Sequence, residues 1–287
     1  MSATIQRLTG GRLHLQHGPI DVVLKAFGTT AEVVRAEEAA AAAFPALLPG
    51  LVDELPLLRQ PVGPEPRGPV ARRMVEACRP FEPLFITPMA AVAGSVADEL
   101  LATMLAAAPL ERAFVNDGGD IAIHLAPGTS LAVGMVTDYA RGPTPRVDGR
   151  IHLTADHGVG GIATSGAQGR SFSLGIADAV TVLAATAAAA DAAATLIANA
   201  VDVEGEAVTR VRAMTLDPDS DLGERLVTVA VGPLTSDQIE AALAAGLDRA
   251  EGFRHRGLII AAALTLRGRT VTTEAWLALP AGQTGEA

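Results

Sequence analysis

Near the N-terminus, polar and apolar positions alternate with a period of two in Arg12 to Gln16 and again in Ile20 to Lys25. His17, Gly18 and Pro19 separate these runs, so the pair reads as a hairpin. After Gly28 the pattern changes. Thr29 to Phe44 is dense in Ala, Glu and Val, with Thr29 or Thr30 as N-cap, which predicts a helix that stops before Pro45. Pro61 to Pro69 (PVGPEPRGP) carries too much proline for a helix or an inner strand and must be a connection. Helix resumes at Val70 and ends near Arg79, ahead of Pro80 and Pro83.

Met89 to Ala108 is apolar all round, with Ser95, Asp98 and Glu99 as its most polar members, and reads as a central buried helix. Period two then returns in RAFVNDGGDIAIHL, LAVGMV and RIHLT, strands with glycine turns between them. GIATSG follows, then an alanine-rich helix in Thr181 to Ala200, a strand near Val227, a helix from Ser236 to Ala245 and the apolar segment GLIIAAALTLRG. Helices and strands come in blocks without strict alternation, which favours an α+β fold over a doubly wound parallel sheet. Residues 1–287 are taken as a single domain, with a two-lobed organisation as the variant.

Composition narrows the function classes. The 287 residues are 49% apolar, enough for a substantial core. A net charge of -10 repels a phosphate backbone and 3% aromatic content leaves few rings to stack on bases, so nucleic acid is not an expected partner. Cys78 is the one cysteine, which excludes an intrachain disulfide and a multi-thiolate zinc site. The first residues lack the pattern of a secretory signal, so a cytoplasmic location is expected. Thr181 to Ala200 approaches the length of a membrane span, but Asp191 at its centre is costly in lipid, so no membrane is expected either.

Three stretches carry candidate chemistry. In VNDGGDI, Gly118 and Gly119 suit a tight hairpin turn, or else let a ligand approach the backbone while Asn116, Asp117 or Asp120 bonds it or a metal. In GIATSGAQGR, Thr164, Ser165 and Gly166 cluster hydroxyls and backbone N–H groups that suit a phosphate or carboxylate, and Arg170 could grip an anion in two-pronged fashion. In ADAAAT, Asp191 and Thr195 stand four apart on one helix face. An aspartate among alanines needs a partner, either an arginine such as Arg170 or a hard cation. DPDSDLG (Asp217 to Gly223) fails as a calcium loop on its spacing and reads as an exposed turn.

Taken in order, VNDGGDI, GIATSG and ADAAAT resemble the flavin-transferase superfamily, the ApbE-like proteins, which move FMN from FAD onto a protein threonine with a divalent metal. ITPMAAVAGSVADELL, VNDGGDIAIHL, IATSGAQGRSFSLGIADAVTV, ADAAATLIANAV and SDLGERLVTVAV extend a closer similarity, over most of residues 10–265, to a separate family within that superfamily. The resemblance implies an ApbE-like mixed sheet packed with helices. It implies a nucleotide pocket lined by Gly118, Gly119, Thr164, Ser165 and Gly166, with Asp191 and Thr195 as metal ligands. Where true flavin transferases carry a histidine-containing segment after TSG, this chain has RSFSLGIADAVTV, with no histidine between His157 and His255.

Three expectations follow. The first is a metal-dependent enzyme of cofactor biosynthesis or transfer that binds FAD, another nucleotide or a pterin-like cofactor with Mg²⁺, with Asp178 as the candidate general base. The second is a non-catalytic cofactor binder or carrier that has lost the transfer chemistry. In the third, the small-residue motifs are structural and the working surface is a homodimer interface.

Overall fold

The computed structural model describes residues 2–135, 149–169 and 171–277. In chain order, β1 (Thr4–Leu8), β2 (Arg12–His17) and β3 (Ile20–Phe27) lead into α1 (Thr30–Asp53), α2 (Leu55–Leu58), α3 (Pro69–Cys78) and α4 (Val92–Ala107). Next come β4 (Arg112–Asp117), β5 (Asp120–Leu125), β6 (Ser130–Met135), β7 (Gly149–Thr154), β8 (Gly161–Ser165), β9 (Ala179–Ala184) and α5 (Ala187–Ala200). β10 (Val208–Arg212), α6 (Ala213–Leu216), β11 (Leu226–Val231), α7 (Ser236–His255), β12 (Ala261–Leu266), β13 (Arg269–Thr272) and α8 (Glu274–Leu277) complete the chain. This is the α+β class. The residues fall into two compact units: Met1–Ser130, Thr154–Ala163 and Ala184–Ala192 form the first, and Leu131–Leu153, Thr164–Leu183 and Ala193–Ala287 the second.

In the first unit, β1 to β5 pair antiparallel in chain order, and the start of β8 joins β5 with Ile121 opposite Ile162 and Ala122 opposite Gly161. Alternation fixes the inner face: Leu13, Leu15, Val22, Leu24, Ala113 and Val115 are buried, in one cluster with residues of α1 and α4. Each fully buried Leu or Val contributes about 1.5–3 kcal/mol, so this face dominates the unit's stability. The expected hairpin is β2–β3, turning at Gly18 and Pro19.

α1 begins as predicted, with Thr29 and Glu32 forming a capping box, but it does not stop at Pro45. It continues through Pro45 and Pro49 to Asp53. Both prolines lie on the exposed side, four residues apart, while the buried stripe Ala36, Ala40, Phe44, Leu47 and Leu51 runs on at helical spacing. Burial of that stripe outweighs the two missing N–H donors, whose carbonyl partners can turn to water. The proline-rich connection 61–68 is pinned by Glu54, whose carboxylate accepts the N–H groups of Arg67 (2.6 Å) and Gly68 (2.8 Å) just before α3. Pro88–Ala107, a short 3₁₀ turn plus α4, is long and apolar enough to cross a membrane by length and composition, but here it packs against α1, α3, β4 and β5 as a core helix.

In the second unit the strand order is β9-β12-β13, with β10–β11 as a separate antiparallel pair and β6–β7 as another two-stranded sheet. β9 and β12 are buried at every position and, apart from Thr181 and Thr265, read as apolar runs without alternation. That corrects one reading and assigns a further segment. Thr181 to Ala184 belong to β9, and the alanine-rich helix starts only at Ala187; the apolar C-terminal segment is the strand β12. α7 extends past Ala245 to His255, burying Leu243, Gly246, Ala250 and Phe253, and packs on β12. The segment 217–223 is a turn in which Asp217 Oδ1 accepts the Asp219 N–H, as its sequence suggested.

Candidate functional site

In the first unit VNDGGDI forms the tight turn between β4 and β5, with Asp117 opposite Asp120 and positive φ at Gly118 (64°) and Gly119 (119°). Asn116 Oδ1 accepts the Gly119 N–H at 2.8 Å, which fixes the turn. Asp117 is buried, and its Oδ1 accepts the Asp21 N–H at 3.2 Å. Carrying the β5–β8 register on from Ile121 and Ile162 sets Asp120 level with Ala163, the residue just before Thr164. Strand pairing thus brings the first motif beside the start of the second.

The third motif reaches the same place through α5. Burial pushes the Asp191 carboxyl well above the usual carboxylate range. The charge of Asp120 is the next largest cause, and that of Asp117 adds to it. Opposing this, Asp191 accepts backbone N–H groups from Gly94, at 3.1 Å, and from Ala93. Those two amides open α4, so Asp191 closes that helix end. Asp98 on α4 does the same for α5, accepting the N–H groups of Ala187 (3.0 Å) and Ala188 (2.9 Å), while Thr186 Oγ1 accepts that of Ala189 at 3.2 Å. Burial raises the Asp98 carboxyl too, partly offset by its two amide donors and by Arg73. Both helix N-termini are therefore occupied by carboxylates, and neither is open to an anion. Burial also pushes the Cys78 thiol far up, with Asp191 adding to the shift, so this cysteine is a buried apolar group and no nucleophile.

The two helix starts approach closely. A Cβ on Gly94 would lie 2.4 Å from the Ala187 carbonyl oxygen, and one on Gly161 would lie 2.1 Å from the Ala187 nitrogen. Small residues here are required for backbone-to-backbone contact.

In the second unit, Thr164 Oγ1 lies 3.0 Å from Thr181 Oγ1, and Ser165 ends β8. Gly166 packs against the chain leading into β9: its Cβ would stand 2.5 Å from the Asp178 carbonyl oxygen, and the next N–H, Ala167, donates to Ala177 at 2.8 Å. Asp178 accepts Gln168 Nε2 at 3.2 Å on one oxygen and the Arg267 backbone N–H on the other. Arg267 sits in the β12–β13 turn with φ of 51°, so Asp178 ties that turn to the TSG loop. The segment after the TSG loop is held by Asn199, whose Oδ1 accepts the Leu174 N–H at 3.0 Å. Thr195, one turn after Asp191 on α5, makes no side-chain hydrogen bond among the described residues. Arg170 lies outside the described residues.

The structure thus gathers Asn116, Gly118, Gly119, Asp120 and Asp191 in the first unit, and Thr164, Ser165, Gly166 and Asp178 in the second. Among the described residues no group of three or more His, Cys, Asp or Glu side chains is arranged to hold a metal ion. In the sequence Asp98 stands out only as one of the three most polar members of an apolar helix, with Ser95 and Glu99. The argument made for Asp191, a charge among small apolar neighbours that must find a partner, applied equally to it.

An α+β scaffold with these three motifs in this order is ApbE-like. The protein family described as AbpE bacteria matches residues 5–272, and the chain belongs to it. Among curated proteins it is 37% identical to a UPF0280 protein of Methanopyrus kandleri over 162 residues, covering 56% of this chain and 61% of that one. It is 38% identical to a UPF0280 protein of Methanothrix thermoacetophila over 134 residues, 46% of this chain and 52% of that one. The matched region thus spans little more than half the length of these relatives. The crystal structure of the ApbE protein from Thermotoga maritima is similar at a TM-score of 0.51 and 15% identity, covering 96% of this chain and 99% of that one, a likeness of fold.

Proposed function

We propose that the protein is a metal-dependent enzyme acting on a flavin or another phosphorylated cofactor, in cofactor biosynthesis or transfer. The observation that supports this best is the buried Asp191, whose carboxyl feels the charges of Asp120 and Asp117 from a motif distant in sequence. Like charges held together in a buried place are costly, and a divalent cation relieves that cost. Mg²⁺ takes one or two carboxylates and completes its oxygen shell with water and substrate phosphate, so it needs no larger set of protein acids. Asp191 accepts the Gly94 and Ala93 N–H groups, and its remaining lone pairs, with the Thr195 hydroxyl one turn on, are the candidate ligands. A bound Mg²⁺ would polarise a phosphoryl oxygen in a protein whose net charge is -10.

In this reading Asn116, Gly118, Gly119 and Asp120 contact the cofactor at the β4–β5 turn, where the glycines leave the backbone open. Thr164, Ser165, Gly166 and Arg170 supply hydroxyl, amide and guanidinium donors to an anionic group. Asp178 is the candidate base. Its two bonded oxygens hold it at a fixed place, and each keeps a lone pair.

The test is a thermal-shift titration of the metal-depleted protein with FAD, FMN, ATP and a pterin, with and without Mg²⁺, on wild type and Asp191→Asn. Asparagine keeps an oxygen for the Gly94 N–H but loses the charge. A metal-dependent rise in melting temperature that disappears in Asp191→Asn is expected. The same rise in both proteins, or none with any cofactor, overturns the proposal. A stoichiometric complex with no turnover by mass spectrometry would favour the carrier reading, for which the missing histidine segment speaks.

A further inference from the structure

In α1, the sequence from Ala39 to Val52, AAAAAFPALLPGLV, runs for fourteen residues without a polar side chain. Ala40, Phe44, Leu47 and Leu51 form the inner, buried side. Ala42, Pro45, Ala46, Pro49, Gly50 and Val52 are exposed, Val52 at 54%. A helix packed on one side ordinarily carries charge on the other, as α3 does with Arg72 and Glu76 and α7 with Asp237, Glu240 and Asp248. The middle of α1 carries none, so an apolar helix face meets water in the single chain. Charge returns only at its two ends. Arg35, Ala42, Ala46, Pro49 and Asp53 stand 7, 4, 3 and 4 residues apart, which lines them up along one side of the helix. Arg35 and Asp53 are separated by five full turns, so they point the same way about 27 Å from each other. Both are exposed, and among the described residues neither side chain makes a hydrogen bond or an ion pair; Arg35 exerts only a minor pull on Glu32 of its own helix.

We propose that this face is a homodimer interface, at which α1 packs antiparallel on α1 of a second copy about a two-fold axis level with Phe44. Arg35 then stands level with Asp53 of the second copy at both ends of the seam. Ala42 stands level with Ala46, and Glu38, the other charge on this side, with Gly50, so no like charges meet. A parallel pair would instead set Arg35 beside Arg35 and Asp53 beside Asp53. Ala42, Ala46 and Gly50 let the two backbones come close, and a shallow crossing of about 20° keeps both charged ends within reach of their partners. Ala41 and Pro45, whose carbonyls the two prolines leave unbonded, lie a quarter to a third of a turn round from the Arg35–Asp53 line, at the flank of the seam where water still reaches them. A lipid surface fits this face less well than a second copy does. Helices that lie on lipid carry Lys and Arg on the polar side, whereas this one carries Glu38 and Asp53 in a chain of net charge -10.

The experiment is sedimentation velocity on the full chain across a concentration series. Wild type is expected to sediment as a dimer. Ala46→Glu puts a carboxylate in the middle of the seam and is expected to give monomer, while the exposed position spares the fold. Arg35→Glu sets two carboxylates against each other at both ends and is expected to weaken the dimer at least about tenfold. Asp53→Arg, which sets arginine against arginine, is expected to do the same, and the double variant R35E/D53R to restore the dimer. The charge-swap set decides the matter even where Ala46→Glu fails to fold. A wild-type monomer up to about 100 µM overturns the proposal, and one that floats with phosphatidylcholine vesicles would assign the face to lipid instead. A dimer indifferent to Ala46→Glu, or one that the double variant leaves as weak as the single variants do, overturns it as well.

Discussion

Asp98 and Asp191 each cap the helix that carries the other. Asp98 on α4 accepts the first two amides of α5, and Asp191 on α5 accepts those of Ala93 and Gly94 at the start of α4. The exchange locks two helix N-termini at a distance that Gly94 alone permits. It also explains how a charge sits inside each of two apolar helices, with backbone amides as its donors and Arg73 adding to them at Asp98.

Removing one cap should unfold the arrangement in proportion to the amides it orphans. Asp98→Ala leaves the Ala187 and Ala188 N–H groups without their acceptor in a mostly buried place. We expect a loss of about 2–3 kcal/mol in urea unfolding. A loss under about 0.5 kcal/mol would show that water replaces the carboxylate.

Burial raises the Asp191 carboxyl above its unfolded value, so the native state holds this proton to higher pH than the unfolded chain does. Its contribution to stability is therefore greatest in acid and declines as pH rises through the folded pKa. Asp191→Asn escapes that decline. In metal-free protein its stability relative to wild type should increase between about pH 4 and pH 7, and added Mg²⁺ should shrink the difference by favouring the wild-type carboxylate. A difference constant with pH would contradict the shift.

Glycines in the motifs should separate by the reason for their presence. Gly94→Ala and Gly161→Ala each drive a Cβ into the backbone near Ala187, at 2.4 and 2.1 Å. Each should cost about 1–3 kcal/mol by thermal or urea unfolding. Gly119→Ala meets nothing within 4 Å and suffers only its positive φ of 119°, so about 1 kcal/mol is expected. Equal costs at all three sites would refute this ordering.

The TSG loop allows a sharper contrast. Gly166→Ala collides with the Asp178 carbonyl oxygen at 2.5 Å and should lower the melting temperature. Ser165→Ala removes a half-buried hydroxyl at a strand end and should leave the melting temperature within a degree or so, within the range of surface substitutions, while abolishing the cofactor-induced shift. A full shift in Ser165→Ala would remove the hydroxyl from the proposed site.

Asp178 can be divided between anchor and base by one isosteric change. In Asp178→Asn the amide oxygen still accepts the Arg267 N–H, and a flipped Gln168 can accept from the new NH₂. Stability should hold within about 0.5 kcal/mol. Turnover, once a substrate is in hand, should fall by about a hundredfold or more if Asp178 takes a proton. Unchanged turnover would leave it as an anchor alone.

The sequence by itself determined what depends on neighbours along the chain. Period-two alternation marked β2 to β5, the Thr29 and Glu32 box marked the start of α1, and paired glycines marked the β4–β5 turn. The motif order also pointed to the family. Tertiary structure decided what depends on burial and on distant partners. β9 and β12, covered on both faces, lose the alternation that would have distinguished them from helix. Phe44, Leu47 and Leu51 carry α1 through two prolines because the inner face governs while the outer face meets water. The partners of Asp191 are backbone amides of a helix far away in sequence, and an amide leaves no mark in a residue's name. Side chains alone offered an arginine or a cation as its partner, and only the packing of α4 against α5 brings the Gly94 amide within 3.1 Å.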